Sequence, residues 1–493
     1  MATVTVLSEH ATNFPLDSYD PGGFFCEVMG EPGDPARKLT QLFDKLQKLD
    51  LAALRARSED AERELFALGI TFTVYSERDV IDRILPFDVI PRVLTAADWA
   101  HIDKGVQQRV QALNLFLHDI YHDGKVIKDG VIPADLVYGN ANYLPQMKDI
   151  DVPGGVYIHI NGTDLVRDGK GNFLVLEDNG RAPSGVSYVV ENRHLMQRAF
   201  PDLMEGFRIK PVSDYGERLH GKLVECAPQG VMDPQVVLLS PGVFNSAYFE
   251  HIFLAREMGV PLVEGRDLVV EDDKVFMKTV SGLKPVHVIY RRINDDFLDP
   301  EVFNPDSMLG AKGLMRAVAK GTVTLANAVG TGVADDKAVY AYVPQIIRYY
   351  LDEDPILDNV ETHICRTPSG LKYTLDHLDQ LVTKPVGESG GYGIVIGPKA
   401  SKTELNALRD RLKDDPGAYI SQPMIELSVC PTLTDEGVAP RHVDLRPFAI
   451  TGKDTWVLPG GLTRVALKKG SIIVNSSQGG GTKDTWVLEE RRS

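Results

Sequence analysis

The chain has 493 residues, 43% apolar and 25% charged, an ordinary composition for a soluble protein of roughly two to four domains or one interlocked enzyme. A formal net charge of −16 argues against nucleic acid as the main partner. Four cysteines, Cys26, Cys226, Cys365 and Cys430, form no CxxC pair; their spacing suggests neither a disulfide framework nor a zinc site and fits a reducing cytoplasm.

Residues 1 to about 36 read as loop, and their opening lacks the basic start and apolar run of a signal peptide. No apolar run in the chain nears about 18 residues, so no membrane span is expected. From about Arg37 to Leu68 the positions Leu39, Leu42, Phe43, Leu46, Leu49, Leu51 and Leu54 predict helix, and Phe72 to Tyr75 a short strand. Thr95 to His122 predicts a long helix, with Asp98 near its start and an apolar stripe at Val106, Val110, Leu113, Leu117 and Ile120. His118 and His122 lie four apart on it, a metal-pair spacing without the acid that a zincin pattern adds.

Val156 to Ile160 and Asn172 to Leu176 are strand-like runs around a glycine-containing turn. Asp164 follows the first run; Glu177, Asp178 and Asn179 follow the second. A hairpin brings Asp164 beside Glu177 and Asn179, and residues two apart on a strand share a face. Two carboxylates and an amide oxygen form a hard-oxygen cluster of the kind Mg²⁺ prefers; the competing reading is an acidic strand end on a solvated edge. Just beyond, Asn179-Gly-Arg181-Ala-Pro-Ser184-Gly adds a cation and a hydroxyl suited to an anionic substrate.

Val189 to Ala199 predicts a helix. Pro234 to Asn294 then alternates strands and helices: Val236 to Leu239, a Ser-Pro-Gly turn, a helix from about Ser246 to Met258, Val260 to Val263, a hairpin at Leu268–Val270 and Val275–Met277, and Val286 to Tyr290. This pattern predicts a small open α/β layer, and no GxGxxG marks a dinucleotide site. The chain is helical from about Lys312, turns at Val329 to Gly332, and is helical again from Asp335 to Tyr350. Leu381 to Pro385, Val386 to Gly393 and Ile394 to Ile396 form a flap-like hairpin. Its glycines allow backbone N–H groups to approach phosphate oxygens, and Lys384 supplies a cation. The lysine precedes the glycines, so this is no P-loop, and a plain surface hairpin is the bland alternative. Tyr419 to Glu426 reads as a strand leading into a connector. Arg446 and Arg464 each sit within an apolar strand, where a charge demands a buried acid or a phosphate. The hexapeptide KDTWVL occurs at 453–458 and again at 483–488, too short for a repeat domain.

Together, Asp164 with Glu177-Asp178-Asn179, Lys384-Pro385, Gly387 to Gly393, Gln422-Pro423, Asp444 to Phe448, Pro459 to Ala466 and Gln478 to Gly481 resemble the motifs of circularly permuted ATP-grasp proteins, a group similar to glutathionylspermidine synthetases. The resemblance spans nearly the whole chain from about residue 65. The acidic metal strand precedes the lysine and glycine loop, the reverse of the unpermuted order. The resemblance implies an α+β fold with mixed sheets around an ATP cleft and a small α/β layer. Its parts would be an N-terminal loop and helical extension (1–80), the ATP-grasp part with the metal hairpin (81–233), the α/β layer (234–310) and the ATP-grasp part with the lysine, glycine loop and arginine strands (311–493).

The resemblance also implies roles. Asp164, Glu177 and Asn179 would bind Mg²⁺ on the ATP phosphates, and Lys337 and Lys384 would contact ATP. Gly387, Ser389, Gly390, Gly391 and Gly393 would close over its phosphates, and Gln422, Pro423, Met424, Ile425 and Glu426 would meet the nucleotide at adenine. Arg446 and Arg464 would stabilise transferred phosphate or the substrate carboxylate. In one departure, Gly162 stands where glutathionylspermidine synthetases carry an arginine, so the phosphate-stabilising charge would come from Arg181, Arg446 or Arg464. The implied activity is an ADP-forming carboxylate–amine ligase working through an acyl phosphate. Its partners would be a small-molecule or peptide carboxylate and an amine, with neither nucleic acid nor membrane. A non-catalytic nucleotide-binding module and an ATP-grasp small-molecule kinase are the rival readings.

Overall fold

The computed structural model describes residues 19–31, 39–48, 50–75, 80–387, 393–474 and 479–490. Its largest unit is a ten-stranded mixed sheet. The main path runs through Asp358–Asn359, Phe173–Asn179, Ile160–Arg167, Gly437–Arg446, Leu462–Val465, Gly481–Val487 and Phe87–Leu94. Every residue of Ile160–Arg167, Gly481–Val487 and Phe87–Leu94 is buried, because helices cover both faces of the sheet. Helix Ala96–Tyr121 covers one face, packing Trp99, Ile102, Val106 and Val110 against Leu165, Val175 and Leu445. It starts as predicted, with a Thr95/Asp98 capping box. Helix Val186–Ala199 lies with Ile160, Leu462 and Trp486 in a second core cluster.

Four expectations shift. The predicted helix over 37–68 divides into Thr40–Gln47 and Leu51–Ala67, because Asp50 caps the second through the Ala52 N–H. Val156 to His159 precede the strand that begins at Ile160. The Oδ1 atoms of Asn114 and Asn327 accept the N–H groups of Tyr157, Ile158, His159 and Ile160, so side-chain amides take the place of a strand partner. Among the described residues of the expected N-terminal loop, Phe25, Cys26, Glu27 and Val28 are buried, against the surface habit of loops. Val286 to Tyr290 splits: Gly282–Val286 joins an antiparallel three-stranded sheet with Lys274–Thr279 and Leu268–Glu271, while Val288–Arg291 enters a parallel one.

That parallel sheet is the α/β layer, ordered Thr324–Ala326, Val288–Arg291, Val236–Leu239 and Leu262–Val263. Its Thr324–Ala326 strand has only three residues, too few for a period to show. A further antiparallel sheet of His363–Ile364, Tyr419–Pro423, Leu381–Pro385 and Val395–Ile396 stands apart from the ten-stranded sheet. Among the described residues no helix is long and apolar enough to cross a membrane.

Candidate active site

Residues of the ten-stranded sheet, the Tyr419–Pro423 sheet and the parallel layer line one cleft of about 560 Å³. The hairpin of Ile160–Arg167 and Phe173–Asn179 forms part of its wall. Across the antiparallel register Asp164 faces Glu177 and Gly162 faces Asn179. The acids lie within the strands rather than beyond them, so alternation of an extended backbone puts Glu177 and Asn179 on the cleft side. Asp178 between them turns to the helix face and pairs with Nε of buried Arg109 at 2.8 Å.

Arg446 and Arg464 sit on neighbouring strands and converge on Asp164. Arg446 grips its carboxylate through Nε and Nη2, the latter at 2.9 Å, and Nη2 of Arg464 donates at 2.6 Å. Nε of Arg464 also donates to both oxygens of Asp444 at 3.0 Å. Burial opposes ionisation of Asp164, but the two guanidinium groups outweigh it and hold the carboxyl well below the usual range. The partners that the strand arginines require are therefore Asp164, shared by both, and Asp444 for Arg464, while Glu177 lies 4.0 Å from Arg446. Gly162 makes room for this: a Cβ there would stand 3.1 Å from Cδ of Arg446 and 3.2 Å from Cβ of Pro183. An arginine at this position, as in glutathionylspermidine synthetases, would compete with the Arg446 stem for one space. Here the stem of Arg446, from the adjacent strand, takes that space.

Nζ of Lys337 lies 3.5 Å from Glu177. Lys384 lines the same cleft, is only 9% exposed, and has no hydrogen bond or ion pair among the described residues. Burial pushes its ammonium down to about 8; the nearby charge of Glu177 opposes the shift and Lys337 adds to it. Strand pairing sets Val382 opposite Gln422 and Lys384 opposite Ile420, so Lys384 stands on the strand next to the one that leads into the connector. Gln422, Pro423, Met424 and Ile425 line the cleft with Ile394 and Ile396, an apolar slot with backbone polar groups, whereas Glu426 does not line it. Of the glycine loop, Gly387 and Gly393 are described, the latter with φ +71°, which suits glycine. Ser389, Gly390 and Gly391 lie outside the described residues.

Arg181 and Ser184 reach the cleft from the loop after Phe173–Asn179. Asp335, which sequence reasoning placed only as a helix start, lines it too. Burial pushes its carboxyl up to about 7, against the N–H groups of Gly180 at 2.6 Å and Arg181 at 3.3 Å. No short-range signal could have found it, since its partners lie 155 and 154 residues away. The rings of His118 and His122 lie 4.2 Å apart, tilted by 30°, without completing a site among the described residues. Among the described residues no group of three or more His, Cys, Asp or Glu is placed to hold a metal ion. The donors nonetheless suit Mg²⁺, which needs few protein ligands. Glu177 offers a half-exposed carboxylate, and Asn179, whose Nδ2 donates to the Gly162 carbonyl at 3.1 Å, keeps Oδ1 for another partner. Asp164 has both oxygens engaged by arginine.

Comparison with known proteins agrees with this architecture. The family model for circularly permuted ATP-grasp type 2 matches residues 91–466. An uncharacterized protein of Synechocystis sp. is 52% identical, the alignment covering 96% of this chain and 99% of that one. A Frankia alni protein with a provisional glutamate–cysteine ligase name is 43% identical over 96% of this chain, which spans only 54% of that protein. The apo structure of a glutathione synthetase-like effector from Globodera pallida superposes with a TM-score of 0.55 at 10% identity, covering 90% of this chain and 98% of that one, a likeness of fold alone. The chain belongs to the circularly permuted type 2 ATP-grasp family of ATP-dependent ligases.

Proposed function

We propose that the protein is an ADP-forming ligase that joins a carboxylate to an amine through an acyl phosphate. The observation that carries this reading is Lys384: a nearly buried cation, unpaired among the described residues, beside an apolar slot in a cleft. A buried charge without a partner is costly, so its presence implies an anionic ligand, and a nucleotide phosphate beside an adenine slot is the natural one. Gln422 to Ile425 would present backbone groups to adenine, with Lys384 and Lys337 on the phosphates. Glu177 and Asn179, with Asp164 behind them, would hold Mg²⁺, which would supply charge neutralisation at the phosphates. Arg446 and Arg464, held in place by Asp164 and Asp444, keep fixed positive charge at the position of the transferred group. Phosphoryl transfer needs positioning and charge neutralisation rather than a side-chain nucleophile. The substrate carboxylate receives the phosphoryl group, and the amine then displaces phosphate from carbon. The ligase name of the Frankia relative supports the same chemistry. The four described cysteines, all buried and free, fit a reducing cytoplasm.

ADP release screened against carboxylates and amines tests the reading. Release that requires both substrates is expected. Release with one substrate alone would favour a kinase, and tight ATP binding without turnover on any pool would favour a binding module. Glu177→Gln should lower turnover at least about 10²-fold with an unchanged melting curve, because it removes a half-exposed ligand charge rather than a core contact. Undiminished ADP formation would sink the metal assignment.

A further inference from the structure

The cations of the cleft divide into two groups. Arg446 and Arg464 are paired with Asp164 and Asp444, and Lys337 lies beside Glu177. Lys384 and Arg181 have no hydrogen bond or ion pair to their side chains among the described residues, and they occupy different walls. Lys384 belongs to the sheet that carries the adenine slot. Arg181 belongs to a loop set against the C-terminal ends of the parallel strands, where ligands of open α/β layers bind. Arg292, just beyond Val288–Arg291, donates from Nη1 to the Pro183 carbonyl at 2.6 Å, and Asn294 and Ser246 line the cleft on this side.

The backbone that carries Arg181 is clamped. Asp335 accepts the N–H groups of Gly180 and Arg181, and Nδ2 of Asn327 donates to the Gly180 carbonyl at 2.7 Å. Oδ1 of Asn327 in turn accepts from His159 and Ile160, at the start of the Asp164 strand, at 2.8 Å. Gly180 has no space for a side chain, since a Cβ would lie 2.8 Å from Cδ1 of Ile158. The turn is held from both sides while its cation is left open to the cleft. The acids nearby are engaged. Asp335 has both oxygens on backbone N–H groups, and Glu250 pairs with Arg292 at 2.9 Å while accepting from Gly185 at 2.7 Å. Asp335 feels the Arg181 charge, but its oxygens are taken up by backbone N–H groups, so the guanidinium keeps its donors free for an anionic end while the acids offer few acceptors to a polyamine.

We propose that Arg181 anchors a carboxylate of the amine substrate, so that the amine partner is an amino acid or peptide rather than a polyamine. This rests on the ligase reading above. The test is calorimetry on the full chain with a non-hydrolysable ATP analogue present. The titrants are the L-amino acids and Gly-X dipeptides, the same compounds as C-terminal amides, and spermidine. At least one free acid should bind, with its amide about 10- to 10²-fold weaker, the range expected for losing a charge-assisted hydrogen bond, and spermidine should not bind. Arg181→Met should lower the acid to the level of its amide while leaving affinity for the analogue within about twofold, and Arg181→Lys should recover part of the difference. Equal binding of acid and amide, binding of spermidine, or no binding of any titrant while the analogue binds would overturn the anchor alone. Loss of analogue affinity in Arg181→Met would move the residue to the phosphates and overturn it too. Failure of the wild-type protein to bind the analogue at all would overturn the ligase reading with it.

Discussion

Replacing Lys384 by methionine should stabilise the protein and at the same time sharply lower its turnover of ATP. Methionine keeps most of the stem and removes an ammonium that is nearly buried and unpaired among the described residues. An unfolded lysine titrates near about 10.4, whereas the folded group is pushed down to about 8. Between those values the unfolded chain holds a proton that the folded chain has released. Wild-type stability should therefore rise as pH climbs through this window, and the full penalty is present below it. Near neutral pH the variant should gain on the order of 1–3 kcal/mol, an advantage that shrinks toward pH ~10. Turnover should fall about 10²- to 10³-fold, the scale of losing one preorganised electrostatic donor. Urea denaturation of both proteins at two pH values, beside ADP release, measures each effect. A variant that is less stable yet fully active would refute the assignment.

Glu27→Gln should lower stability by about 3–5 kcal/mol, the usual cost of breaking a buried ion pair. The Glu27 carboxylate accepts from Arg92 at 2.6 Å, Arg167 at 3.0 Å and the Ser428 hydroxyl at 2.7 Å. Burial opposes its charge, but the two arginines hold the carboxyl below its ordinary range. Glutamine keeps the shape and leaves two guanidinium groups in the interior with one negative charge fewer, although Arg167 retains Asp98 at 2.9 Å. Because the folded value is the lower one, the stabilisation is present above the unfolded value of about 4.3 and is lost as pH falls through the folded value. The gap between wild type and variant should be widest near neutral pH and close on acidification. Arg167 ends the strand that carries Asp164, so this ion cluster anchors the site as well as the core. A loss under about 1 kcal/mol by urea denaturation at neutral pH would show that the cluster is dispensable.

Much of the site could be read locally because its geometry is local. Glu177 and Asn179 share a face by strand alternation alone, and Lys384 stands in a strand that runs straight into the glycine-rich loop. Helix Ala96–Tyr121 follows from its apolar stripe. Short-range pattern could state that Arg446 needs a partner but not which one. The partner is 282 residues away, and sheet order, which places Ile160–Arg167 beside Gly437–Arg446, makes Asp164 that partner. The burial of Glu27 was equally hidden, since residues 19–31 carry no period and take their place from arginines on two distant strands.

The repeated KDTWVL separates the two kinds of information most cleanly. By itself the hexapeptide determines a short strand, and both copies form one, within Thr455–Val457 and Gly481–Val487. The first copy pairs with Phe448–Thr451, and its Lys453 and Asp454 are exposed. The second lies between Leu462–Val465 and Phe87–Leu94, where Lys483, Asp484 and Trp486 are buried. Lys483 tolerates that interior because Asp88 pairs with it and the carbonyls of Ile90 and Pro431 accept from it at 3.1 and 2.9 Å. Backbone preference is a property of six residues, so the sequence determined the strands. Burial of a charge depends on which distant groups arrive to solvate it, so only the tertiary structure decided where lysine, arginine and acid could stand inside this protein.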